Sequence, residues 1–138
     1  MPDTRNIRAY LEDLVEAGAR AAVGAGDLPD VAIPGAALER PKDPANGDFA
    51  STLPLRLARA AMKPPIEVAR AIAQHIPADP AIEVPSVAPP GFINFRLSAG
   101  FLQAQVEHII ETGPAFANVT IGSRKKAQVE FVSANPTG

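Results

Sequence analysis

Fifteen prolines in 138 residues restrict this chain more than any other feature. Proline fixes φ and carries no amide N–H, so it interrupts helix interiors and central strands. Pro64-Pro65 breaks one helical segment and restarts another. Pro77, Pro80, Pro85, Pro89 and Pro90 bracket Ile82 to Ala88, which predicts an edge or irregular strand there. Pro54 is compatible only with the first turn of a helix, where its missing N–H costs little.

Between these breaks the apolar spacing is readable. Ile7, Leu11, Leu14 and Val15 have helical spacing, with Thr4 or Asp3 as cap and Gly24 or Gly26 as terminator. Ala36 to Arg40 reads as a short strand, and Pro41 to Gly47 as dense turn chemistry. A second helix is expected from about Thr52 to Met62, burying Leu53, Leu57 and Ala60 or Ala61. Ile66, Ala69, Ile72, Ala73 and Ile76 form a stripe of period 3.6. Phe92 to Leu97 is the cleanest strand. Ser98 caps a last helix, about Ala99 to Glu111, with Phe101, Leu102, Val106, Ile109 and Ile110 expected inward and Gly113-Pro114 as its stop.

Strands and helices therefore interleave through short, proline-broken connections. The fold class expected is α+β, with helices packed on one face of a small antiparallel sheet over residues 1–113. Residues 114–126 read as a linker and 127–138 as the start of a further unit. The length suffices for one domain with a core. No apolar run approaches a membrane span and no leader resembles a signal peptide, so a cytoplasmic location is expected. Cysteine is absent, which excludes disulfides and thiol catalysis. The two histidines, His75 and His108, lie on separate segments, so no metal site is expected.

Two segments carry chemistry. In Phe92 to Leu97 side chains alternate, placing Ile93, Phe95 and Leu97 on a core face and Phe92, Asn94 and Arg96 opposite. An aromatic, an amide and a guanidinium in line suit an unpaired nucleotide: the ring stacks, the amide bonds a base edge, and the cation meets phosphate. The plainer alternative is a Phe92 packed on a neighbouring loop beside solvated Asn94 and Arg96. A net charge of −2 argues against indiscriminate nucleic-acid binding. Yet Phe49 to Ile66 holds Arg56, Arg59 and Lys63 with no acidic residue, either a basic face or an ordinary solvated helix. In the tail, Val129, Phe131 and Val132 read as a strand that switches at Ser133 to small polar residues, as at a ligand-binding strand end or in a simple surface turn.

The string Val129-Glu130-Phe131-Val132-Ser133-Ala134-Asn135-Pro136-Thr137-Gly138 resembles the segment that opens the catalytic domain of arginyl-tRNA synthetases. Pro90 to Leu97, and Arg40-Pro41-Lys42 through Gly47-Asp48-Phe49-Ala50, resemble that family's amino-terminal domain. The resemblance implies that Phe92 and Asn94 hold a D-loop adenosine of the arginine tRNA, with Arg96, Arg56, Arg59 and Lys63 as weaker phosphate contacts. It implies that Glu130, Ser133 and Asn135 belong to an arginine pocket, on the lone first strand of a Rossmann-like catalytic domain. L-Arginine and ATP with magnesium are then substrates of the whole enzyme. The class I ATP-binding signature that follows this string in the family is not reached, so the 138 residues alone are expected to be inactive, without a cofactor, and monomeric. A free-standing RNA-binding or protein-interaction module is the alternative. Pro54 departs from the family pattern, which bears on helix boundaries.

Overall fold

The computed structural model describes residues 6–117 and Lys126. Helix α1 spans Ile7–Gly24, followed by strand β1 (Leu38–Glu39) and a single 3-10 turn at Pro44–Asn46. Strand β2 (Phe49–Ser51) leads into α2 (Leu53–Ala61) and α3 (Pro65–Gln74). Strands β3 (Ser86–Ala88) and β4 (Phe92–Phe95) precede α4 (Ala99–Thr112) and a closing 3-10 turn, Gly113–Ala117. The four strands form one sheet in the order β1-β2-β4-β3, with each neighbouring pair antiparallel. This is the expected α+β architecture.

The prolines sit where their geometry permits. Pro54 lies in the first turn of α2 and is itself buried. Met62 ends α2 in the left-handed conformation at φ 51°, and Pro65 opens α3. The proline-bracketed segment supplies β3 at the sheet edge, while Ile82 contributes only an isolated bridge to Leu97.

Helices α1, α2 and α3 cover one face of the sheet, with α3 touching both of the others. Gly18 allows the α1–α3 approach: a Cβ there would lie 2.9 Å from Ile76 Cγ1 and 3.1 Å from the Ile72 carbonyl oxygen. Leu11, Val15, Leu53, Leu57, Val68, Ile72, Ile93 and Phe95 meet in the core. Each such side chain contributes about 1.5–3 kcal/mol on leaving water. Ala61 is the buried member of the Ala60–Ala61 pair, and Val68, which the stripe had omitted, is fully buried.

Two expectations are corrected. Helix α1 begins at Ile7 with Asn6 in the cap position and no side-chain cap bond; Asp3 and Thr4 fall outside the described residues. On α4 only Phe101 is buried, and Leu102, Val106, Ile109 and Ile110 are solvent-exposed rather than inward. The Ser98 cap does form, its Oγ accepting from Phe101 N at 3.1 Å. No helix among the described residues is long and apolar enough to cross a membrane.

Candidate nucleic-acid interface

The register of the sheet builds the site. Ala50 pairs with Asn94, Glu39 with Ala50 and Ser86 with Asn94. Directly opposed residues of an antiparallel ladder project to the same side, so these four form one row across the sheet. Phe92 and Ala88 form the next row. Ile93 and Phe95, which alternate with these positions, are fully buried beneath the helices. The Phe92–Asn94 row therefore faces away from the helical layer, as the alternation predicts.

A turn rises over one side of this outer face. Asp43 accepts from Ala45 N at 2.9 Å, which starts the 3-10 turn. Gly47 closes it at φ 97°, so close to β4 that a Cβ would lie 2.5 Å from the Phe95 carbonyl oxygen. Asp48 then holds the end of β4 twice. Its N–H donates to Phe95 O at 2.8 Å, and its carboxylate accepts from Leu97 N at 2.8 Å. Arg96 adds a third tie, donating to Ala45 O at 3.1 Å.

Between turn and sheet lies a cleft of about 410 Å³ lined by Glu39, Pro41, Lys42, Asp43, Asn46, Ala50, Ala88, Pro89, Phe92 and Asn94. That volume is at the small end of ligand clefts and has room for one base with its sugar. Ala50 is the low point of the row, and its single methyl leaves the cleft open between Glu39 and Asn94. Phe92 is half-buried, leaving part of its ring available. Asn94 is 7% exposed and contributes to the lining of the cleft. An amide held at a cleft wall by the sheet carries both a donor and an acceptor for a ligand edge. The lining has one cation, Lys42, against two carboxylates, Glu39 and Asp43, so stacking and hydrogen bonding, rather than phosphate attraction, are what this cleft offers.

The other predicted cations stand apart. Arg96, with a half-exposed side chain, is 3.9 Å from Glu83 and borders a smaller depression of about 130 Å³ that shares Asn94. Arg56 lies on α2, donating to Gly35 O at 2.8 Å, and Lys63 donates to Asp27 O at 3.0 Å. Arg59 occupies the last turn of α2, in the helical layer and not the cleft. Glu130, Ser133 and Asn135 lie outside the described residues. Lys42, Asn46 and Glu39 were not singled out as ligand contacts by residue pattern. The turn chemistry of Pro41 to Gly47 was readable, but its folding over Asn94 is a matter of tertiary register.

Comparison with known proteins places these segments in a family. The family described as arginyl tRNA synthetase N terminal domain matches residues 5–97. The arginine–tRNA ligase of Cereibacter sphaeroides is 42% identical over 134 residues, covering 96% of this chain and 23% of that protein. The Bacillus subtilis arginine–tRNA ligase is 39% identical over 135 residues, covering 96% of this chain and 24% of its own length. The chain thus spans about a quarter of the length of these relatives. Among solved structures, the Thermus thermophilus arginyl-tRNA synthetase superposes with a TM-score of 0.55 at 24% identity, over 71% of this chain and 15% of that one. The Plasmodium falciparum arginyl-tRNA synthetase gives 0.60 at 12% identity, over 75% and 18%; at these identities both support the fold alone. With its family match running over most of the chain and through both walls of the cleft, this protein belongs to the arginyl-tRNA synthetase N-terminal domain family.

Proposed function

We propose that the outer-face cleft receives one unpaired nucleotide from the D-loop corner of the arginine tRNA, as the RNA-docking part of an arginine–tRNA ligase. The observation that supports this reading is the half-exposed Phe92 ring and the Asn94 amide lining one cleft with Ala50. The ring stacks on a base, which is worth about 1–3 kcal/mol. The Asn94 amide has the donor and acceptor needed for the paired N6 and N7 positions of adenine. Glu39 on the same row adds an acceptor for an exocyclic amine. Lys42 at the rim meets the phosphate, and Arg96 is a second, partly engaged candidate. Arg56, Arg59 and Lys63, in the helical layer, would meet only backbone that passes around the edge of the domain.

In the whole enzyme the reaction is arginine activation by ATP, with magnesium, and transfer of arginine to the 3′ end of the tRNA. Glu130, Ser133 and Asn135 are proposed for the arginine pocket on chemical grounds: a carboxylate for a cationic group, a hydroxyl and an amide for the amino acid's ends. The enzyme works as a cytoplasmic monomer, and the 138 residues alone carry RNA docking without aminoacylation.

The test is fluorescence anisotropy with an arginine tRNA transcript and with the same transcript made abasic at its unpaired D-loop adenosine. The chain should prefer the intact transcript by about 5- to 150-fold, and Phe92→Ala should abolish that preference. Equal affinity of the unaltered chain for both transcripts overturns the reading.

A further inference from the structure

Helix α4 carries an apolar stripe that the described residues leave largely exposed. Leu102, Val106, Ile109 and Ile110 recur at intervals of four, three and one residues, which places them along one stripe of a helix. They are 48%, 56%, 43% and 73% exposed. Isolated exposed apolar residues are ordinary; four on one helical stripe mark a contact surface. Beside the stripe, Gln105 Oε1 is shut off from solvent with no hydrogen-bond donor among the described residues.

The domain's own core does not claim this helix. The family match stops at residue 97, immediately before the Ser98 cap, and beyond it only Phe101 is buried. The ligase relatives nevertheless retain this stretch, since the similarity covers 96% of the chain while accounting for only 23% of their length. A helix kept in the shared segment, left out of the domain core and bearing an unburied apolar stripe, stands where the N-terminal domain meets the remaining three-quarters of such a protein. The absence of lysine and arginine from Ala99 through Thr112 leaves the stripe without permanently charged phosphate-binding groups.

We propose that the Leu102–Val106–Ile109–Ile110 stripe of α4 is the seat on which the N-terminal domain packs against the remainder of the full-length ligase, an intramolecular apolar interface separate from the RNA cleft. The natural chain offers a direct probe, because its 138 residues contain no cysteine. Val106→Cys places a thiol in the centre of the stripe with little change in volume. Its reaction with N-ethylmaleimide is followed by mass spectrometry of the peptide bearing position 106, in the 138-residue chain and in the full-length ligase. The expected result is rapid labelling in the short chain and labelling about tenfold slower or less in the full-length protein, as for a buried thiol.

Equally rapid labelling in both proteins overturns the proposal. So does protection already present in the short chain that grows with its concentration, since that assigns the stripe to a second copy. Protection of the full-length protein that requires added tRNA also overturns it, by assigning the stripe to RNA. Glu111→Cys, an exposed position on the opposite side of the same helix, should label rapidly in both proteins; slow labelling there too would mean general occlusion of α4 rather than contact through its stripe, and would equally refute the assignment.

Discussion

Ala50 and Asn94 face each other across β2 and β4, and the small size of the first keeps the amide of the second within reach of a ligand. Ala50→Leu should extend apolar bulk into the cleft above the sheet. Affinity for the arginine tRNA is expected to fall to the level of the abasic-D-loop transcript. Because the added atoms point into the cleft and not the core, the stability cost should stay below about 1–3 kcal/mol. Anisotropy titration and a thermal melt on one sample separate the two effects; unchanged RNA affinity would show that the nucleotide sits elsewhere.

Gly47 and the Phe95 carbonyl oxygen are too close for any side chain between them. Gly47→Ala combines a left-handed φ with a backbone clash, for an expected loss of about 1–3 kcal/mol. The turn that forms one wall of the cleft should shift with it. Urea denaturation and RNA titration of this variant are therefore expected to weaken together, unlike Ala50→Leu. A variant of wild-type stability and affinity would refute the wall's dependence on this contact.

Lys42 is the cation lining the cleft, whereas Arg59 stands in the helical layer. If each phosphate contact releases counterions on binding, Lys42→Ala should reduce the slope of log K against log salt by about one. Arg59→Ala should change it less. The comparison needs titrations from roughly 50 to 200 mM salt, and a larger change for Arg59→Ala would move the phosphate path onto α2.

Tyr10 donates its phenolic proton to Asp79, joining α1 to the segment after α3. This bond, then burial, then the neighbouring negative charge raise the tyrosine pKa above its ordinary value. A raised pKa means that folding favours the protonated phenol, so the contribution is complete below the ordinary tyrosine range, about 10, and lost as pH rises through the folded value. Solvent access limits the effect to about 1 kcal/mol or less. Tyr10→Phe should therefore be less stable than the natural chain at pH 7 to 9, with the gap closing above pH 10. Paired urea melts at these pH values provide the check; a gap that widens with alkalinity would contradict the assigned direction.

Much of the element order was readable because its causes are local. Proline fixes φ regardless of context, so the break at Pro64-Pro65 and the edge position of β3 followed from residue identity. Alternation in Phe92 to Phe95 divides the faces correctly because successive strand side chains point to opposite sides. On α4 the same kind of inference placed Leu102, Val106, Ile109 and Ile110 inward. Periodicity marks an apolar side, but whether anything covers that side depends on neighbours the helix's own residues do not specify. Arg96 illustrates a similar gap: its place beside Asn94 in the alternation was visible, but its bond to Ala45 O was not.

The strand at Phe92 and the turn at Pro41 to Gly47 were each legible in the amino-acid order, as was the resemblance that placed the chain in its family. That they become two walls of one cleft follows only from the folded molecule. The antiparallel register setting Ala50 opposite Asn94 brings together residues more than forty positions apart, and Gly47 and Asp48 lock the turn over them. Local propensity acts over a few neighbouring residues, whereas a cleft requires two distant backbones to be held at a fixed register by the core they share.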